Sequence, residues 1–149
     1  MTSVQQRRAG RVLVVDESRR VLLLRGGDPA TPAAGTWWFT PGGGIEPDEG
    51  TDAAARRELE EETGFRCEDV GSPVWHRQTV FSFDGVTYEQ EEDFYLLRTP
   101  AFEVQTHGWS PVEVATIVEH RWWPVHELAA AEHPVYPEEL PELLSRLLG

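Results

Sequence analysis

A chain of 149 residues, 40% apolar and 26% charged, has the size and make-up of one packed domain, here expected to span 1–149. Its net charge of −13, with 26 acids against 13 bases, excludes a surface built to neutralise the backbone of a nucleic-acid duplex. The single cysteine, Cys67, excludes an intrachain disulfide, and no apolar run is long enough to span a membrane.

An acidic protein that handles phosphates must import positive charge, and a divalent cation is the obvious source. The polar start, Met1 to Gln6, is too short for a signal peptide, so the chain reads as cytoplasmic. Arg11 to Asp16 and Arg20 to Arg25 are aliphatic runs around a polar turn, which predicts a hairpin-like pair of buried strands. Gly26 to Gly35 is a loop. Thr36 to Thr40 is a short strand with Trp38 and Thr40 on one face and Trp37 and Phe39 on the other. Pro41 to Gly44 is expected to break it.

A helix follows, with Thr51 or Asp52 as N-cap and Gly64 as its stop. Val74 to Phe83 and Val86 to Arg98 predict two long strands around the Asp84-Gly85 turn. Ser110 to Glu113 has the form of a capping box with proline at the first helical position. Ile117 to Trp123 is a further strand. Leu140, Leu143, Leu144, Leu147 and Leu148 form an apolar stripe at helical spacing, and Pro141 fits there only in the first turn. There is no internal repeat and no linker. The whole predicts an α/β domain whose sheet is not purely parallel.

The chemistry concentrates at Arg57, Glu58, Glu61 and Glu62. The three glutamates are spaced i, i+3 and i+4, which turns them to one helix face, where like charges destabilise an isolated helix. They also sit near the helix C-terminus, where the macrodipole disfavours negative charge. Two local rules broken in one place mark a functional site. A hard divalent cation such as Mg²⁺ or Mn²⁺, which takes oxygen ligands, resolves the conflict. Arg57 can pair with a carboxylate of the preceding loop, Glu49 being best placed.

Upstream spacing extends the pattern. Gly43, Glu49, Arg57-Glu58, Glu61-Glu62 and Gly64, with apolar Leu59 and Phe65, reproduce a whole Nudix box. Chance agreement at the seven fixed positions is on the order of a few in a billion per start. The chain therefore resembles the Nudix hydrolase family. The lead-in Trp38 to Gly43 and the late stretch Arg121 to Leu128 are similar to that family too.

The resemblance implies an α/β/α sandwich with a mixed central sheet, and a metal-dependent hydrolase that cuts a diphosphate bond. The substrate would be a nucleoside diphosphate linked to another moiety. It implies Glu58, Glu61, Glu62 and the Gly42 carbonyl as metal ligands. Glu58 or Glu61 would be the base and Arg57 the residue that orients Glu58, while Gly43, Glu49 and Gly64 shape the box. An acid outside the box, Glu92, Glu113 or Glu119, is the other place for a base. Trp38, Arg25 and Glu92 are candidate substrate contacts, with Trp37, Trp109 and Trp123 as further candidates for stacking a base and Arg11 for holding phosphate. A homodimer fits the family's habit. Two other readings remain: a non-catalytic Nudix sensor, which tends to lose box carboxylates, and an isopentenyl diphosphate isomerase, whose catalytic cysteine has no counterpart in Cys67.

Overall fold

Alternation along two central strands lets one sheet hold a helix layer on each face. In the computed structural model, which describes residues 4–149, β1 spans Val4–Val15 and β2 Arg20–Gly26. Val12, Val14 and Leu22 turn to one side, where they meet Ala55 and Leu59. Leu13, Val15, Val21 and Leu23 turn to the other, against Leu140, Leu143 and Leu144. Residues buried on both faces explain why these strands read as continuous apolar runs.

The remaining elements follow in order: β3 (Trp37–Phe39), β4 (Gly42–Gly44), α1 (Thr51–Thr63), β5 (Trp75–Phe83), β6 (Val86–Arg98), α2 (Pro111–Thr116), β7 (Ile117–Pro124), β8 (Val135–Tyr136) and α3 (Leu140–Leu148). The sheet is mixed. β1 runs parallel to β6 over twelve residue pairs, from Val4 opposite Thr87 to Val15 opposite Arg98. β5 and β6 form the expected hairpin, with both Asp84 and Gly85 at positive φ. β2 pairs antiparallel with β3 and β7, and β4 pairs antiparallel with β1. With α1 on one face and α3 on the other, this is an α/β/α sandwich around a mixed sheet. No helix among the described residues is long and apolar enough to cross a membrane.

Several local expectations change. β1 starts at Val4, not Arg11, because β6 supplies hydrogen-bond partners to the polar stretch before it; of Met1 to Gln6, the first three residues lie outside the described part. Pro41 to Gly44 does not simply break a strand. Gly42–Gly44 forms β4, opposite Ala9 to Arg11. The N-cap of α1 is Gly50, since the Thr51 hydroxyl is taken by Asp93 and Tyr95 instead, at 2.7 Å each. Gly64 ends α1 as expected, at φ 78°, with its N–H on the Glu60 carbonyl. The Ser110–Glu113 capping box is present, and Pro141 lies in the first turn of α3.

Candidate functional site

Helix α1 carries its acids to the edge of β4. Ala54, Ala55 and Leu59 bury one side of the helix, which points Glu58 and Glu62 at the glycine strand. Glu62 is 3% exposed and accepts the Gly42 N–H at 2.8 Å. Glu113 approaches from α2, which its own capping box orients, since Glu113 Oε1 accepts the Ser110 N–H. Carboxylate oxygens of Glu58, Glu62 and Glu113 lie within 4.8 Å of one another.

Burial and like charge act together there. Burial, then the neighbouring Glu58, pushes the Glu62 carboxyl well above the usual carboxylate range. Burial also raises Glu58, partly offset by its bond to Arg57. Such a cluster is held against electrostatic cost, and a hard cation with oxygen ligands removes that cost. The clustered donors are all carboxylate oxygens, so the residues present fit Mg²⁺ or Mn²⁺, while the Gly42 carbonyl accepts Arg11 Nη1 at 3.1 Å.

Arg57 ties the helix to the loop before it. Its Nε and Nη2 donate to the two oxygens of Glu49, each at 2.9 Å, its Nη1 to Glu58 at 2.9 Å and its Nη2 to the Gly44 carbonyl at 3.0 Å. A two-point arginine–carboxylate pair fixes geometry as well as charge. It holds the Glu49 carboxyl below its usual range. Gly43 is needed for close approach: a Cβ there would lie 2.7 Å from the Glu58 carboxyl carbon.

The glutamate cluster borders a cavity of about 920 Å³. Its floor is one face of β1, β5 and β6, where Arg7, Arg11, Arg77, Gln90 and Glu92 gather. Trp37, Phe81, Tyr88 and Tyr136 supply aromatic walls. Glu92 is 1% exposed and doubly clamped, by Arg11 Nε at 2.8 Å and Arg77 Nε at 2.5 Å. Those arginines outweigh burial and hold its carboxyl below the usual range. Arg7 has no ion-pair partner among the described residues, and its Nε, like Gln90 Oε1, is buried without a hydrogen bond. Leaving such an atom unpaired typically costs about 1–3 kcal/mol.

The chain matches the NUDIX domain family across residues 5–144. It belongs to the Nudix family. In family terms it is a Nudix hydrolase, with every box carboxylate in place. The fold is similar to that of the MutT protein from Methanosarcina mazei Go1, at 21% identity and a TM-score of 0.69, covering 99% of each chain. A MutT Nudix hydrolase from Burkholderia pseudomallei gives 22% identity and a TM-score of 0.69, covering 96% of this chain and 98% of the other. The C. elegans Ap4A hydrolase gives 17% identity and a TM-score of 0.61 over the full length of both. No curated protein sequence matches.

Within the Nudix box, the structure brings Glu58 and Glu62 together but leaves Glu61 apart. Glu61 is exposed, 3.5 Å from Arg57 Nη1, and borders a separate hollow on the outer side of α1 with Arg56, Glu60 and His107. The third carboxylate of the cluster is Glu113, which the sequence offered only as one of three possible bases outside the box. The other two are committed elsewhere, Glu92 to its arginines and Glu119 to Arg25 and Arg121. Arg25 bonds Glu119 and Thr36. Trp38 is 2% exposed and packs edge-on against Trp123 in the core, so the half-buried Trp37, against Tyr136, is the tryptophan at the cavity. Trp109 donates to the Glu62 carbonyl at 2.7 Å and thereby braces the end of α1. Arg7 and Gln90 were missed. Their only signal was position: Tyr88, Gln90 and Glu92 alternate toward the Glu92 face of a strand.

Proposed function

We propose that this chain, as a single domain over 1–149, hydrolyses a diphosphate bond in a nucleoside diphosphate linked to another moiety, with Mg²⁺ or Mn²⁺ as cofactor. One observation carries the reading: three carboxylates within 4.8 Å, with Glu58 and Glu62 raised by burial, form a wall of a cavity large enough for a nucleotide. Glu58, Glu62, Glu113 and the Gly42 carbonyl would hold the cation, while Glu61, exposed and one turn from Arg57, stands outside that set. When bound, the cation would supply charge neutralisation for the diphosphate and lower the pKa of a water.

The chain's own residues do the rest. Glu58 takes the proton of the attacking water, its position set by Arg57. Arg57 is a positioning residue, braced by Glu49. Glu92 and Glu119 are unsuited as bases because arginines hold both carboxyls low. The products are a nucleotide monoester and a second phosphorylated fragment. The substrate is a small molecule, and a cytoplasmic, homodimeric enzyme is part of the same proposal.

The test is a panel of dNTPs, ADP-ribose, dinucleoside polyphosphates and sugar nucleotides, each with Mg²⁺ or Mn²⁺. Nucleotide release that stops with EDTA and with Glu62→Gln supports the reading. Tight binding with no turnover under either metal overturns it in favour of a sensor.

A further inference from the structure

The floor of the cavity holds more polar groups than the cluster chemistry uses, and their hydrogen bonds can be assigned one by one. Glu92 is kept ionised by Arg11 and Arg77, so both of its oxygens can only accept. Gln90, two residues earlier on the same face of β6, donates its amide Nε2–H to Glu92 Oε2 at 2.9 Å. Turning the amide over would set oxygen against oxygen. The carboxylate therefore locks Gln90 with its Oε1 away from Glu92, buried and unpaired on the cavity floor.

Arg7 stands opposite Gln90 in the parallel β1–β6 register, so the two side chains are neighbours on one face. Its guanidinium lies over the Tyr88 ring, 4.9 Å from the centroid. Arg7 Nε is buried and lacks a partner among the described residues. Two neighbouring side chains thus each present an unpaired atom, one an obligate donor and one an acceptor whose orientation is fixed.

A phosphate can satisfy Arg7 but not Gln90 Oε1, because an anionic oxygen only accepts. A group that satisfies both carries an acceptor beside an N–H or O–H donor, as a nucleobase edge or a sugar hydroxyl does. The walls around it are flat and aromatic, with Phe81 and Tyr88 stacked at 5.4 Å and Trp37 and Tyr136 also bordering the cavity. We propose that Arg7 and Gln90 read the hydrogen-bonding edge of a nucleobase, with Glu92 as the positioning residue that sets the polarity of the reader. This rests on the proposed function, since it assumes that the cavity seats the nucleoside end of a diphosphate. It assigns specificity to two residues outside the Nudix box.

The experiment measures binding in EDTA, where hydrolysis plays no part. Adenosine, guanosine, cytidine and uridine 5′-monophosphates, ribose 5-phosphate and inorganic phosphate are titrated by tryptophan fluorescence or calorimetry. Wild type is expected to separate the four nucleotides by at least about tenfold between strongest and weakest. Gln90→Met should compress that spread to about threefold or less while leaving phosphate affinity as it was. Arg7→Met should also compress it, and Arg7→Lys should recover part of it. Thermal melting of each variant reports whether the fold is intact.

An unchanged ranking in folded Gln90→Met overturns the proposal. So does ribose 5-phosphate binding as tightly as the best nucleotide, or a loss in Gln90→Met that falls on phosphate rather than on base preference. Base selectivity that depends on Gln90 in a protein with no turnover upholds this reader and overturns the hydrolase reading. Turnover without Gln90-dependent selectivity does the reverse.

Discussion

Two buried glutamates sit on the borders of one cavity and are treated in opposite ways. Glu92 is surrounded by arginines that lower its carboxyl; Glu62 faces Glu58 and Glu113, and its carboxyl is raised. Both have left water, and burying a charge costs several kcal/mol unless a partner replaces the solvent. At Glu92 the chain supplies the partner itself. At Glu62 it supplies one backbone N–H and more negative charge. The first arrangement is neutralised by the chain and ties strands together; the second leaves negative charge that a cation would neutralise.

The largest expected effect comes from breaking the incomplete side. Glu62→Gln and Glu58→Gln should each lower kcat by about 10²–10⁴-fold, read as nucleotide release with Mg²⁺. In EDTA Glu62→Gln should not lose stability, since it relieves like-charge repulsion, whereas Glu58→Gln also gives up the ion pair with Arg57. A divalent cation should raise the wild-type Tm and do so much less in Glu62→Gln.

Breaking the complete side should behave conversely. Glu92→Ala leaves the half-buried Arg11 and Arg77 without their counter-ion and should cost about 1.5–3 kcal/mol in urea unfolding. The pH dependence follows from sign. Glu92 has a folded pKa below its ordinary 4.5, so its contribution is present above that value and drains away as pH falls through the folded one. Acid unfolding of the wild type should therefore steepen below pH 4.5, and Glu92→Ala should flatten that limb. Glu62, raised rather than lowered, carries the opposite sign in metal-free protein.

Two smaller changes sharpen the contrast. Gly43→Ala should displace the Glu58 carboxyl and lower kcat by up to about 10²-fold, with less effect on unfolding than Glu92→Ala. Glu61→Gln, outside the three-carboxylate cluster, should lower kcat by about tenfold only. A loss as large as that of Glu62→Gln would show that Glu61 moves into the cluster when metal binds.

Local rules reached much of this from the chain alone. The helix stop at Gly64, the Asp84-Gly85 turn and the Ser110 capping box are local, and each is where residue chemistry places it. Glu58 and Glu62 were legible because one helix turn joins them. Glu113 was harder, since its meeting with Glu62 depends on how α2 docks. The roles of Glu92 and Gln90 depend on register between β1, β5 and β6, strands far apart in sequence, and spacing within one strand carries no trace of a partner's charge. The helix N-cap failed for a related reason: Thr51 had a better use across the sheet.

The long parallel pairing of β1 with β6 also fixes an order of events during synthesis. Val4 pairs with Thr87 and Val15 with Arg98, so β1 must wait for β6, made long after it, before its main partner appears. Contacts of that sequence separation are slow to close. Until then the Val12–Val15 segment has its neighbour β2 but an open edge on the other side, the kind of edge that attracts other chains. Growth temperature and translation rate should therefore govern soluble yield more strongly than the stability of the finished sheet does.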